Sequence, residues 1–325
     1  ITASYSTEGF GRRITFSDDV LIIQNNTGVL FIYRKSASEF KWVLDQEIYQ
    51  DDPCFSNDFD LSGPTLIIGS GDGCVGKAWI YESNGSKFIH TETHYSPDPS
   101  PAPSDEEFGK SVSINNGNIL ITHSRYDLPA HGFNGNSGVA YIGRKESGNV
   151  FQMHEANILN PDYLGTGEFG WHGEITSNLA LINDCYYSTV IGGSSAHDKL
   201  GMNYLYAQTY KNHWEFLAKL SNSDSMTGFN FGCGSPPSYV QSPVEISNHG
   251  FAVVADFYSV VGPESTPSTE NSHGGYYIYD FRNMEGLYSQ NIYDEDIPSI
   301  GFIGTWALAL SILFMYPSKK RNKNI

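Results

Sequence analysis

Five times along the chain a glycine and two variable residues are followed by an aromatic, an Ile or Leu and, in four copies, a Tyr. The copies are 28–33 (GVLFIY), 76–81 (GKAWIY), 138–143 (GVAYIG), 201–206 (GMNYLY) and 274–279 (GGYYIY). They are separated by roughly 48 to 73 residues, the mark of one supersecondary unit stacked on copies of itself. Such a unit cannot bury its apolar faces alone, so the repeat constrains the fold before any single residue does.

The surroundings of each copy also repeat. An apolar run precedes it, at 20–23, 66–68, 119–121, 179–182 and 251–254. Ahead of that run, a Phe-Gly pair or its remnant opens a segment with period-two alternation. These openings are Phe10-Gly11, Phe55-Ser56, Phe108-Gly109, Phe169-Gly170 and Phe231-Gly232; in the third, Val112 and Ile114 share one face. A fourth segment with an aromatic or apolar start follows, at 40–48, 88–93, 151–158, 214–220 and 287–292. Four short strands per unit, joined by turns, predict a propeller blade.

Phe108-Gly109-Lys110-Ser111-Val112-Ser113-Ile114, a short turn, an apolar strand, then Gly138-Val139-Ala140-Tyr141-Ile142 and an aromatic fourth strand resemble the FG-GAP repeats of integrin alpha-chain-like β-propellers, in their calcium-poor variant. The resemblance covers about residues 1–293 and is clearest at 105–159. It departs from the family after the second strand of each unit, where the Gly-Ala-Pro signature is missing: 69–71 read Gly-Ser-Gly and 183–185 read Asn-Asp-Cys. The resemblance implies seven blades, whereas five copies are visible. The favoured reading is a seven-bladed ring of which this sequence holds five blades. The alternative is a complete five-bladed ring closed by a strand over residues 1–4.

Aromatic residues make up 14% of the 325 positions, with 33 Gly and 15 Pro, enough for cores between blades and little for helices. The net charge of −17 provides no basic footprint for phosphates, so nucleic acid is excluded as an expected partner.

Residues 300–316 (IGFIGTWALALSILFMY) form an uncharged run that spans about 26 Å as a helix, sufficient for a thin bilayer core. Asp294, Glu295 and Asp296 precede it; Lys319, Lys320, Arg321 and Lys323 follow. Because Lys and Arg favour the cytoplasmic side, the expectation is a single-pass type I protein. Its parts are a propeller ectodomain over 1–296, extracellular or lumenal, a transmembrane helix over 297–317 and a short basic cytoplasmic tail over 318–325.

Four cysteines suit an oxidising compartment, where Cys54 with Cys74 and Cys185 with Cys233 would each tie a strand start to a loop on the same rim. Four unpaired buried thiols are the alternative. Asn25 and Asn84 stand in Asn-x-Ser/Thr sequons within turns, as glycosylation candidates.

The turns between first and second strands are tight in every unit, with no Asp-x-Asp-x-Asp loop for a Ca²⁺ that takes six to eight oxygens. No metal, no cofactor and no calcium site is therefore expected. The links between second and third strands, and those between blades, vary in length and emerge on one rim, where repeat proteins place their binding surfaces. Loops 126–136, 186–199 and 258–273 are the expected partner surface, with Tyr126, His131, Phe133, Tyr186, Tyr187, His197, Tyr258 and His273 as candidate contacts. His172, Asp184 and the His197-Asp198 pair can be imagined as acid–base groups at a central channel. No nucleophile, base and orienting group recur together, however, and Glu8, Glu107 and Glu168 ahead of Phe-Gly read as framework positions. The expectation is thus a surface propeller, not an enzyme, that mediates adhesion or protein–protein interaction with other proteins or surface glycans. A structural subunit of a membrane-attached filament, shell or envelope is the second reading, and a propeller hydrolase a distant third.

Overall fold

A computed structural model describes residues 9–36, 38, 41–52, 54–70, 76–97, 107–126, 137–146, 150–162, 168–185, 201–210, 213–220, 244–256 and 275–281. Every regular element among them is a β-strand, and the strands form five antiparallel sheets in a ring, a β-propeller. Blade 1 contains β1 (Arg13–Ser17), β2 (Val20–Gln24), β3 (Leu30–Lys35) and β4 (Trp42–Ile48). Blade 2 contains β5 (Phe55–Ser62), β6 (Thr65–Ser70), β7 (Lys77–Ser83) and β8 (Phe88–Tyr95). Blade 3 follows with β9 (Phe108–Asn115), β10 (Asn118–His123), β11 (Val139–Lys145) and β12 (Phe151–Ile158). Blade 4 is β13 (Phe169–Ile175), β14 (Leu179–Asp184), β15 (Met202–Tyr210) and β16 (His213–Leu220). Of blade 5, β17 (Val244–Ser247), β18 (Phe251–Asp256) and β19 (Gly275–Asp280) are described, while the expected fourth strand at 287–292 lies outside the described residues.

The six-residue repeat is the third strand, and its alternation sets the packing between blades. Its aromatic fourth and sixth positions point one way and its aliphatic fifth position the other, because side chains alternate along a strand. Trp79 and Tyr81 of blade 2 pack on Leu30 and Ile32 of blade 1. Tyr141 packs with Ile80, Tyr204 and Tyr206 with Ile142, and Tyr277 and Tyr279 with Leu205. Each interface therefore joins an aromatic face to the aliphatic face of the blade before it. Blade 1 uses its aromatic face differently: Phe31 and Tyr33 meet Phe10 and Trp42, and Ile14 and Phe16 of the same blade are 45% and 42% exposed, whereas Phe59 and Leu61 of blade 2 are 1% and 6%.

The glycines of both motifs meet at the blade boundaries. Gly109 and Gly170 have φ of 88° and 90°, which L-residues with a Cβ adopt at a cost. In blade 2 the same place is taken by Ser56 at φ 68°, and its Oγ accepts a hydrogen bond from Gln24 Nε2 at 2.8 Å, a contact that glycine could not make. Where the Gly-Ala-Pro signature is missing, polar side chains at the end of the second strand reach the next blade instead, as when Ser70 Oγ donates to Phe108 O at 2.8 Å.

Candidate functional site

The first strand of every blade lines the axis. Its alternation points Phe59, Leu61, Val112, Ile114 and Ile175 into the cores between blades and leaves Arg13, Asp58, Asp60, Ser111, Ser113, His172, Glu174 and Glu245 as the polar positions between them. These side chains lace neighbouring strands together. Asp58 Oδ2 accepts Val112 N–H at 3.0 Å and Ser111 O–H at 2.8 Å, and Asp60 Oδ2 accepts Ile114 N–H at 2.8 Å. One blade further on, Ser111 and Ser113 Oγ accept the N–H groups of Gly173 and Ile175, each at 3.2 Å. An innermost strand would otherwise present an unpaired edge, and carboxylates and hydroxyls from the preceding blade satisfy its donors.

Among the described residues, the axis is acidic around a single guanidinium. Arg13 forms an ion pair with Asp58, which is 2% exposed. Burial, with the charges of Glu245, Asp60 and Asp58, raises the Glu174 carboxyl well above the ordinary carboxylate range. Burial and then Asp60 push Glu245 up to about 7. Burial also raises Asp60, against the N–H bonds of Ile114 and Leu61.

His172 stands near this cluster, where burial and the charges of Arg13 and Lys110 hold it neutral, its pKa pushed down to about 3. Asp184 is not with it. It is fully buried and accepts Asn160 Nδ2 at 2.6 Å, a bond between the link after blade 3 and the second strand of blade 4. The structure therefore separates the two described groups that the sequence suggests as acid–base partners; His197 and Asp198 lie outside the described residues. Among the described residues, no group of three or more His, Cys, Asp and Glu side chains is placed to hold a metal ion.

The two ends of the propeller differ. At one end the hairpins between first and second strands are stitched around the axis. Gly63 N–H donates to Ser17 Oγ at 3.1 Å, Asn116 N–H to Ser62 Oγ at 3.2 Å, and Ser177 N–H to Asn248 Oδ1 at 3.1 Å. Asn248 Nδ2 then reaches Asn115 Oδ1 at 3.3 Å, joining blade 5 to blade 3. At the opposite end, one described link of each variable class meets the other in blades 1 and 2. A cleft of about 230 Å³ between blades 1 and 2 is lined by Thr27 and Gly28 from the β2–β3 link and by Tyr49, Gln50, Asp51 and Asp52 from the β4–β5 link. Lys77 Nζ closes on Asp52 at 2.8 Å.

Of the candidate contacts, Tyr126 is described. It is half-buried, packs edge-on against His123 with ring centroids 5.2 Å apart, and accepts Gly138 N–H at its carbonyl. It anchors the base of its loop. His131, Phe133, Tyr186, Tyr187, His197, Tyr258 and His273 lie outside the described residues. Neither Cys54 nor Cys185 is a free thiol; Cys74 and Cys233 lie outside the described residues. Asn25 is 3% exposed, and its Oδ1 accepts Thr27 N–H, Thr27 O–H and Val29 N–H. Asn84 makes a similar turn but is exposed.

Glu107 and Glu168 occupy equivalent places, each accepting at its carbonyl the N–H of the residue three positions on, Lys110 and Trp171. Glu107 is fully buried beneath Arg125 and Ser124. Apart from His172, the axis residues are what the sequence reading missed. The available signal was the polar half of the alternation already noted in the first strands, Asp58 and Asp60 or Ser111 and Ser113. Sequence alone does not say which half of a strand faces an axis.

Fold and axis together define an all-β propeller with an acidic polar centre. No protein-family model matches the chain, and no curated protein matches it. No helix among the described residues is long and apolar enough to cross a membrane, and residues 297–317 lie outside them.

Proposed function

We propose that this chain is a non-catalytic, FG-GAP-type surface propeller that binds another protein or a surface glycan through its long-loop rim and is held at a membrane by a helix over residues 297–317. The observation that carries the reading is the asymmetry between the two ends. Backbone-to-side-chain bonds stitch the short hairpins together at one end, while in blades 1 and 2 the β2–β3 and β4–β5 links meet at the other. Rigid scaffolds with variable loops on one face are built for recognition, because loop sequence can change there without disturbing the core. His172, held neutral by desolvation and the charges of Arg13 and Lys110, is poorly suited to proton transfer at neutral pH, which favours binding over hydrolysis. Cys54–Cys74 and Cys185–Cys233 pairings and an ectodomain facing an oxidising space belong to the same proposal.

The experiment replaces loops 126–136, 186–199 and 258–273 in turn by Gly-Ser linkers in the full-length, membrane-expressed chain and compares chemical crosslinks to neighbouring molecules. Loss of crosslinks in variants that keep the parental melting temperature is the expected result. Unchanged crosslinks in all three variants would remove the rim from consideration.

A further inference from the structure

One hydroxyl at the axis faces two carboxyl groups. Ser113 Oγ, 1% exposed, lies 3.1 Å from Asp60 Oδ2 and 2.9 Å from Glu174 Oε2, and it already accepts Ile175 N–H at 3.2 Å. A serine hydroxyl has a single hydrogen to donate. It can serve one carboxylate, and a second ionised carboxylate at that distance would set oxygen lone pairs against each other. Asp60 is the better-supplied acceptor: Oδ2 takes Ile114 N–H at 2.8 Å and Oδ1 takes Leu61 N–H at 2.7 Å. Both bonds favour its ionised form.

We propose that Glu174 is protonated at neutral pH and donates to Ser113 Oγ, which donates in turn to Asp60, and that this shared proton locks blades 2, 3 and 4 at the axis so that alkaline pH loosens the propeller. The charged groups facing the chain are Asp58 and Asp60 from β5, Glu245 from β17 and Arg13 from β1. From β9 comes the neutral Ser113, while Lys110 of that strand stacks on Trp171 at 4.0 Å and lies 3.8 Å from Glu107. His172, next along β13, is neutral. Full ionisation would thus set four carboxylates against one guanidinium, which is already paired with Asp58. Desolvation of Glu174 favours its neutral form, in keeping with this arrangement.

The test uses the full-length chain, with Glu174→Gln and Glu245→Gln as variants. Infrared spectra at about pH 8 separate the two acids, since Glu245 is largely ionised there. A neutral-carboxyl C=O band in the Glu245→Gln protein that disappears in the double variant is expected. Absence of the band, or its survival in the double variant, overturns the assignment. Thermal melts in the Glu245→Gln background, where that titration is absent, read the lock itself: between about pH 5 and about pH 9 the midpoint of Glu245→Gln falls by about 5 °C or more, and that of the double variant by less than half as much. Equal slopes would show that the proton locks nothing. Should Glu174→Gln fail to fold, the infrared titration of Glu245→Gln decides, with a band that persists above about pH 7 supporting the assignment and one already lost by about pH 6 overturning it.

Discussion

Gly138 and Phe169 pair as a parallel β-bridge between blades 3 and 4, joining the first residue of one blade's six-residue repeat to the Phe of the next blade's Phe-Gly pair. A Cβ on Gly138 would lie 1.9 Å from Phe169 O, and the residue has φ of 75°. The same approach recurs at Gly76, where a Cβ would lie 2.3 Å from Phe108 N, and at Gly28, 2.9 Å from Phe55 O. The two sequence motifs are therefore the two sides of one contact.

Gly138→Ala combines a backbone clash with left-handed strain and is expected to cost about 3 kcal/mol. Gly117 provides the control. Its φ is 82°, but the nearest atom to a new Cβ would be Lys145 Cβ at 3.8 Å, so Gly117→Ala should cost only about 1 kcal/mol. Denaturant titration of the two variants compares them directly.

Asp58 holds three partners at the axis: Arg13, Ser111 and Val112 N–H. Asp58→Ala leaves a half-buried guanidinium and a backbone donor without their acceptor and should cost about 2–4 kcal/mol. Adding Arg13→Met should restore part of that loss, because the stranded charge is then gone. A double-mutant cycle by denaturation measures the coupling, and strict additivity would contradict it.

Glu245 makes stability fall on the alkaline side. Its folded pKa of about 7 lies above the ordinary Glu value, so its contribution is complete below about pH 4.3 and is lost as pH rises through 7. Glu245→Gln should match the parent near about pH 4 and exceed it at about pH 8, by an amount that solvent screening of this exposed side chain keeps small. Equilibrium unfolding at the two pH values checks both arms.

His123 acts in the opposite sense. It is fully buried among Phe108 and Tyr126, and burial pushes its pKa down to about 4. Stability from the neutral ring is complete above about pH 6.5 and lost as pH falls through 4. His123→Phe should be near-neutral at about pH 7 and stabilise by about 1–2 kcal/mol at about pH 4.5, read from melts at both.

Expressed through a secretory pathway, the chain should carry a glycan on the exposed Asn84 and none on Asn25, whose amide oxygen is occupied inside a buried turn. Peptide mass analysis of Asn84→Gln and Asn25→Gln proteins resolves the two sites.

Much of the blade architecture was legible before any coordinates. The apolar run at 20–23, the repeat at 76–81 and the segment at 151–158 became β2, β7 and β12, because each carries local strand chemistry and the turns between them are short. Asp184 and His172 were harder. Both are polar residues of blade 4 first or second strands, yet one is bonded to Asn160 between blades and the other stands near Arg13 and Lys110. No local pattern distinguishes those environments.

By itself the sequence determined the unit: four strands, an aromatic face and an aliphatic face, and glycines where consecutive units touch. It could do so because alternation and turn geometry are local properties of the chain. Only the tertiary structure decided that Asp58, Asp60, Ser113, Glu174 and Glu245, spread over nearly two hundred residues, share one axis. The raised carboxyls of Asp60, Glu174 and Glu245 follow from burial and mutual repulsion, and neither exists until the blades close around them.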